Sequence, residues 1–478
     1  MNRMTHGALV TGNTEEEINA LRAINPTFAF GFMFSDLQSD DENLLITSLD
    51  TVHDLRSLGA TMVDPGLVIP GIHVSAVHTF LGQFVDHDIT LERGTRNINL
   101  SEPTPLSLEE IAQTIVNSRS PNLDLDHVYG PDIDGNLSPR DPSNPEKLLL
   151  GQVAEGQGLP AGKDVWNDFP RLDGRAPLVG DSRDDENVII NQLHVAFIRA
   201  HNAVVDRGHR FDEARKLLIQ HYQWIVLNEF LEQIADPDVV RTVRFRGTRF
   251  FNPPARAFFM PLEFSVAAFR FGHSKVRPAY EPFNNVQVAA TLDLLFRPGR
   301  TLPEHWIISW PSFLDPENDD RFPRPIDTSL TRLLTELPPD VLNGQAPEPN
   351  LAIRNLLRGY ILRMPTGQAV AKAIAIQPMT EQEIISVAGK FSGQSGVLNE
   401  SGFAARTPLW FYILAEAAFF SGGRHLGPVG STIVAEVLIS VLRNSTYSIL
   451  SDPQWSPTLG ATQGLFDLED LLKLAGVF

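Results

Sequence analysis

The stretch Gly82-Gln83-Phe84-Val85-Asp86-His87-Asp88 decides how this chain is read. It closes a segment, Ala76 to Ile89, in which Val77, Phe80, Leu81, Phe84 and Val85 recur at helical spacing as an apolar stripe. Ser75 is the expected N-cap. Gln83, Asp86 and His87 stand at i, i+3 and i+4 and share one helix face. Asp88 stands four residues after Phe84 and continues the apolar stripe, where a carboxylate is costly to bury unless a cation or donors meet it. Alone, the segment also admits a plainer reading: a helix end dipping into water with both aspartates solvated.

Downstream, Ser120, Asn122, Asp124 and Asp126 place oxygen-bearing side chains at alternate positions, the spacing of a loop that curls round a hard cation. A solvated turn is again the plainer alternative. Asp132-Ile-Asp-Gly135 imitates an EF-hand loop, but its first ligand position would be Gly130 and no glutamate closes it. Three further helices are expected: one starting near Ser182 with Ile190, Leu193, Phe197 and Val204 on one face, one over Leu262 to Arg277 stopped by Pro278, and one over Leu351 to Met364 stopped by Pro365. Val239 to Phe251 is the best short strand candidate. The fold class is mainly α with few short strands. Proline-rich turns at Pro131 to Pro145, Pro253 to Pro254 and Pro338 to Pro349 are too short for flexible linkers, so one large domain, 76–478, is expected, with 1–75 as an N-terminal arm packed on it.

The 478 residues are 42% hydrophobic and 20% charged, and a chain this long buries a sizeable core without staples. With no cysteine, disulfides, thiolate zinc sites, iron–sulfur clusters, cysteine nucleophiles and thiolate haem ligation are excluded. A net charge of −19 opposes nucleic acid and anionic membrane surfaces as partners. Val429 to Leu442, the most apolar late stretch, is interrupted by Ser431, Thr432, Glu436 and Ser440 and reads as a core helix rather than a membrane span. The first thirty residues lack a basic start followed by an apolar run. A cytoplasmic setting, or export without an N-terminal signal, is therefore expected.

Gly82 to Asp88 resembles the distal-histidine signature of the animal-type haem peroxidases, the peroxidase–cyclooxygenase superfamily that includes myeloperoxidase. Leu123-Asp-Leu-Asp-His-Val-Tyr-Gly130 resembles its calcium loop, Gly180-Asp-Ser-Arg-Asp-Asp-Glu186 its distal arginine segment, and Phe269-Arg-Phe-Gly-His273 its proximal histidine segment. Asn355-Leu-Leu-Arg358, with Pro365 ten residues after the asparagine, resembles the segment supporting the proximal ligand, and Gly427-Pro428 opens a helix like its closing core helix. The segments follow in the family's order from Gln83 to Pro428.

The resemblance implies a single haem peroxidase domain that reduces hydrogen peroxide and oxidises a small donor, a phenol or a halide or pseudohalide anion, in the setting of oxidative stress. It implies haem b with His273 as proximal iron ligand, Asn355 accepting from the other ring nitrogen, and Arg270 and Arg358 on the propionates. His87 would be the distal acid–base, Arg183 the cation beside the departing oxygen, and Gln83 the residue holding a distal water or anion. Asp86 and Glu186 match the carboxylates that form haem ester links in parts of the family. Asp88, Ser120, Asn122, Asp124 and Asp126 would hold calcium.

Two departures are visible. Asn187 stands where myeloperoxidase has a methionine that makes a sulfonium link, and Thr90 stands where some relatives have an aspartate near a propionate. Two other functions compete: a fatty-acid dioxygenase of the cyclooxygenase-like branch, and a haem or calcium scaffold for adhesion. The dioxygenase branch carries a tyrosine three residues before the proximal histidine; here that residue is Arg270, and none of the six tyrosines fills the slot.

Overall fold

The computed structural model describes residues 10–11, 29–66, 75–94, 99–130, 138–160, 167–173, 175–315, 324–337 and 348–478. Asp132 to Gly135 and the turn after Leu337 lie outside the described residues. Among those described, eight α-helices reach ten residues or more: α1 (Leu49–Thr61), α2 (Val77–Ile89), α3 (Val188–Asp206), α4 (Phe211–Ile225), α5 (Pro237–Arg246), α6 (Leu351–Ile361), α7 (Leu409–Phe420) and α8 (Pro428–Asn444). The strands are two to five residues long; the largest sheet joins Val10–Thr11 in parallel to Glu92–Gly94, which pairs antiparallel with Ile115–Asn117. The chain is mainly helical. No helix among the described residues is long and apolar enough to cross a membrane.

Packing follows the apolar stripes. Val77, Phe80, Leu81, Phe84 and Val85 of α2 are buried, as are Ile190, Leu193, Phe197 and Val204 of α3, against which α2 packs. Leu55 and Leu58 of α1 are fully buried against α6. Val429 to Leu442 lies within α8, with every residue of that stretch buried.

Four expectations are corrected. Val239 to Phe251 is not a strand: α5 runs through Arg246, started by the Asp236 side chain capping Asp238 and Val239 with Pro237 at the first turn. Its buried Val240 and Val243 are three apart, a helical spacing that β-branched composition concealed. Ser75 does not cap α2; its hydroxyl donates to the Phe313 carbonyl instead. The helix expected from Ser182 begins as a 3-10 turn, Ser182–Asp185, and becomes α3 only where Asn187 caps the Ile190 N–H. The segment from Leu262 is not one regular helix: a π turn (Glu263–Ala267), a 3-10 turn (Ala268–Phe271) and an α turn (Gly272–Lys275) follow one another, with Ala267 off helical geometry at φ −125°, ψ −71°. Buried Glu263 anchors its start by accepting from the Met33 and Phe34 N–H groups at 2.8 and 3.0 Å. Such breaks in a helix re-aim the side chains beyond them.

The start of α8 is tied to α7 by Glu416, which is buried and accepts from the Val429 and Gly430 N–H groups at 2.9–3.2 Å. The approach is so close that a Cβ on Gly427 would fall 2.4 Å from the Glu416 side chain. Burial outweighs those two donors and pushes the carboxyl up to about 8. A carboxyl raised in the folded state contributes stability that is complete below its unfolded pKa and is lost as pH rises through the folded one. Urea unfolding across a pH series should therefore show stability falling between about 4.5 and about 8, and Glu416→Gln, which cannot ionise, should flatten that fall. An equally steep fall in the variant would refute the assignment.

Candidate functional site

A cavity enclosing about 1500 Å³ of empty space, part of it open to solvent, lies between α2 and the broken segment 263–275. One wall carries Gln83 and Asp86 from α2 with Arg183, Glu186 and Asn187 from the turn that leads into α3; the facing wall carries Phe269, Arg270, Gly272, His273 and Lys275. Thr90, Glu92 and Arg358 also line it, while Leu292, Phe296, Leu334, Leu337 and Leu351 supply apolar surface.

On the first wall Asp86 accepts from the Thr90 hydroxyl at 2.8 Å, so Thr90 fixes the carboxylate rather than serving as one. Gln83 Oε1 accepts from Asn187 Nδ2 at 3.4 Å. Arg183 lines the cavity but is strongly committed: Nε and Nη2 grip Asp181 at 2.7–3.1 Å, and Nη2 also donates to the His87 and Thr90 carbonyls. Its Nη1 engages none of these acceptors. Burial alone would raise the Asp181 carboxyl, but Arg183 and Arg119 outweigh it and hold it well below the usual carboxylate range.

His87 does not line the cavity. Its ring is fully buried, with Nδ1 2.6 Å from Asp184 Oδ1. The second oxygen of Asp184 is 2.6 Å from His194 Nδ1. Sequence reading missed Asp184 and His194; an aspartate beside an arginine in an acidic turn carries no signal that it will face a histidine nearly a hundred residues earlier.

On the proximal wall His273 is buried, and burial together with the Arg270 charge lowers its imidazole to about 3, so the ring is neutral near pH 7. Asn355 meets it as expected but with the sense reversed: Asn355 Nδ2 is 2.8 Å from His273 Nδ1 and donates to it, while Asn355 Oδ1 accepts from Arg270 Nη1 at 3.3 Å. Arg270 Nε donates to the Ser265 carbonyl at 2.9 Å, within the broken segment. Burial lowers the Arg270 guanidinium, and the charge of Asp86 offsets part of that. Arg358 is paired with Glu92. Lys275 is the cation among the described lining residues that makes no hydrogen bond or ion pair, and burial, then Arg277, brings it down to about 7. Neither Glu92 nor Lys275 was legible as a lining residue from its sequence context.

The expected calcium residues converge only in part. Asp88 is fully buried, and its Oδ1 accepts from the Asp126 N–H at 2.7 Å and faces His127 Nδ1 at 3.3 Å. Ser120 donates to Asp126 Oδ2 at 2.6 Å, Asn122 Oδ1 accepts from Asn444, and Asp124 Oδ2 accepts from the Thr446 hydroxyl at 2.9 Å. Among the described residues no group of three or more His, Asp or Glu side chains is arranged to hold a metal ion, yet Asp88 Oδ2 and Asp124 Oδ1 are buried and meet no hydrogen-bond donor. The carboxyls still disturb one another. Burial raises all three, and so does a neighbour: Asp124 for Asp88, Asp126 for Asp124, Asp88 for Asp126, with Asp124 reaching about 6. The loop turns sharply at Leu125, a non-glycine at φ 57°, a conformation costing on the order of 1–3 kcal/mol.

The lining suits a haem: it combines apolar side chains with a buried neutral histidine, the polar groups of Gln83, Asp86 and Glu186, and the arginines Arg183, Arg270 and Arg358. The sequence pattern of the animal haem peroxidases matches residues 99–308, which include Arg183 and His273. A peroxidase-like protein of Margaritifera margaritifera is 27% identical over 281 residues, 45% of this chain and 34% of that protein. The chain spans about a third or less of the length of the curated relatives it matches. Peroxidase A from Dictyostelium discoideum shares the fold at TM-score 0.55 and 18% identity, covering 82% of this chain and 83% of that one. A fatty acid alpha-dioxygenase from Arabidopsis thaliana shares it at 0.55 and 15%, covering 82% and 69%. Over residues 99–308 the chain is thus similar to the animal haem peroxidase family, and one cavity is lined by both its distal-type and its proximal-type segments.

Proposed function

We propose that this chain, its catalytic domain spanning 76–478, binds haem b through His273 and uses it to reduce hydrogen peroxide while oxidising small donors such as phenols or halide and pseudohalide anions. One observation carries the reading: a single cavity lies between buried, neutral His273 and a wall of Gln83, Asp86, Arg183 and Glu186. Haem bound there supplies the redox-active iron. His273 Nε2 would be the nitrogen for the iron; Nδ1 would then carry the proton, and Asn355, whose Nδ2 faces that atom here, would have to turn its amide oxygen to it. His87, buried beside the cavity rather than on its lining, would accept the peroxide proton at Nε2 through one water and return it to the departing oxygen. Arg183 Nη1 offsets the charge that builds on that oxygen. Gln83 orients the peroxide.

The dioxygenase reading is disfavoured by the cavity itself: none of the six tyrosines lines it, and Arg270 occupies the wall three residues before His273. Asp86 and Glu186 both line the cavity, so ester links to haem are open to each, whereas Asn187 is spent capping α3 and offers no sulfur. Calcium among Asp88, Ser120, Asn122, Asp124 and Asp126 would relieve the mutual repulsion of three buried carboxylates, with further oxygens from backbone carbonyls.

Purified protein should show a haem absorption band that changes on peroxide addition, oxidise phenolic donors, and consume little oxygen with linoleate. Regiospecific lipid hydroperoxide formation would sink the peroxidase reading in favour of the dioxygenase.

His273→Ala should fail to retain haem or lose the iron–histidine stretch in resonance Raman; unchanged haem binding would refute the ligand assignment. His87→Ala should slow the reaction with peroxide in stopped flow by on the order of 10²–10⁴-fold. An unaltered rate would remove His87 from the mechanism.

Metal analysis should find bound calcium, and chelation should lower both activity and melting temperature. Calcium-free protein with full activity would exclude the ion.

A further inference from the structure

Asp184 lies in the 3-10 turn Ser182–Asp185, next to Arg183, yet its side chain serves a different space. Arg183 lines the cavity; Asp184 reaches between α2 and α3, where both of its oxygens are taken by imidazoles at 2.6 Å, His87 through Oδ1 and His194 through Oδ2. All three side chains are fully buried. Burial by itself would favour the neutral acid, but the nearby His127 and the bonds from His194 and His87 outweigh it and keep the group ionised.

An ionised carboxylate only accepts hydrogen bonds, so both Nδ1 atoms carry a proton. In a neutral imidazole that choice leaves the lone pair on Nε2. The His194 ring is held in turn by aromatic edges, Phe169 at 4.8 Å and Phe84 at 6.3 Å between ring centroids. His194 is therefore a fixed post that stops the carboxylate from rotating, and the carboxylate then sets both the tautomer and the plane of the His87 ring.

We propose that Asp184 is a positioning residue for the peroxide reaction: clamped by His194, it holds His87 in the Nδ1–H tautomer so that Nε2 is the atom that takes a proton from a weakly acidic ligand. This rests on the peroxidase reading above. The proton balance is simple. Nε2 gains the proton of the entering peroxide and releases it to the departing oxygen, and the Nδ1 proton stays shared with Asp184 throughout. An amide in place of the acid cannot do this for both rings. Its oxygen accepts from one imidazole while its NH₂ donates to the other, which must then adopt the opposite tautomer. The equivalent acid-to-amide change in a serine-protease triad costs about 10⁴-fold in turnover through the wrong tautomer.

The test uses the haem-loaded full chain and the variants Asp184→Asn, His194→Phe and His87→Ala. Asp184→Asn should bind haem normally, and its rate with peroxide should fall on the order of 10²–10⁴-fold. Its association rate with hydrogen cyanide, a weak acid that must surrender a proton to the same base, should fall in parallel. Carbon monoxide binding to the reduced protein, which transfers no proton, should be unchanged. His194→Phe, which keeps ring volume but frees one carboxylate oxygen, should show a smaller loss in both proton-dependent rates. Native peroxide and cyanide rates in Asp184→Asn overturn the inference; if that variant does not fold or hold haem, native rates in His194→Phe do so. A fall in cyanide and carbon monoxide rates alike would mark Asp184 as scaffold only and also overturn it. If His87→Ala lowers the peroxide rate while Asp184→Asn does not, the positioning role alone fails; if neither does, the assignment of His87 fails with it.

Discussion

Two buried carboxylates on one short turn, Asp181 and Asp184, hold the distal half of this molecule together. Asp181 takes Arg119 and Arg183; Asp184, three residues on, takes His87 and His194. The turn thus ties α2, α3 and the loop after Asn117 to one point. Breaking one partner out of a buried charge pair typically costs about 3–5 kcal/mol, because the other is left uncompensated. The turn also has to fit. A Cβ on Gly180 would lie 2.6 Å from the His127 carbonyl and 2.8 Å from that of Asp126, so only glycine lets the two segments close.

The facing wall is built on the opposite principle. There the backbone rather than a charge network is irregular: π, 3-10 and α turns succeed one another over Glu263 to Lys275. A regular helix would carry Arg270 and His273 on one continuous face. The break lets Arg270 take the Ser265 carbonyl and the Asn355 oxygen while His273 is presented to the cavity. The cost in backbone hydrogen bonding is offset by burial of Phe264, Phe269 and Phe271 and by the stack of Phe264 on Phe269 at 4.5 Å.

Most cations around the cavity already have internal partners: Asp181 for Arg183, Asn355 and Ser265 for Arg270, Glu92 for Arg358. Ready-made partners keep long side chains ordered before any ligand arrives, which lowers the cost of binding one. They also mean that an incoming carboxylate has to compete with Glu92 or Asn355 rather than meet a bare guanidinium. Lys275 differs, as a buried ammonium on the wall with Arg277 as its charged neighbour.

What the sequence determined by itself is local and periodic. The apolar stripes of α2, α3, α6 and α8 were legible because burial on one face of a helix imposes a 3.6-residue repeat, and the ordered motifs from Gln83 to Pro428 named the residues that would meet. It failed where a side chain's partner is remote in the chain. The Ser75 hydroxyl goes to the Phe313 carbonyl rather than capping α2, the Asn355 oxygen also meets Arg270, and Arg358 meets Glu92. Asp184 gave no sign at all. Hydrogen bonds and ion pairs act over a few ångströms, so which one forms depends on which donors and acceptors packing brings within reach. That is decided by how α2, the 180–186 turn and the broken proximal segment settle against each other, and only the tertiary structure holds it.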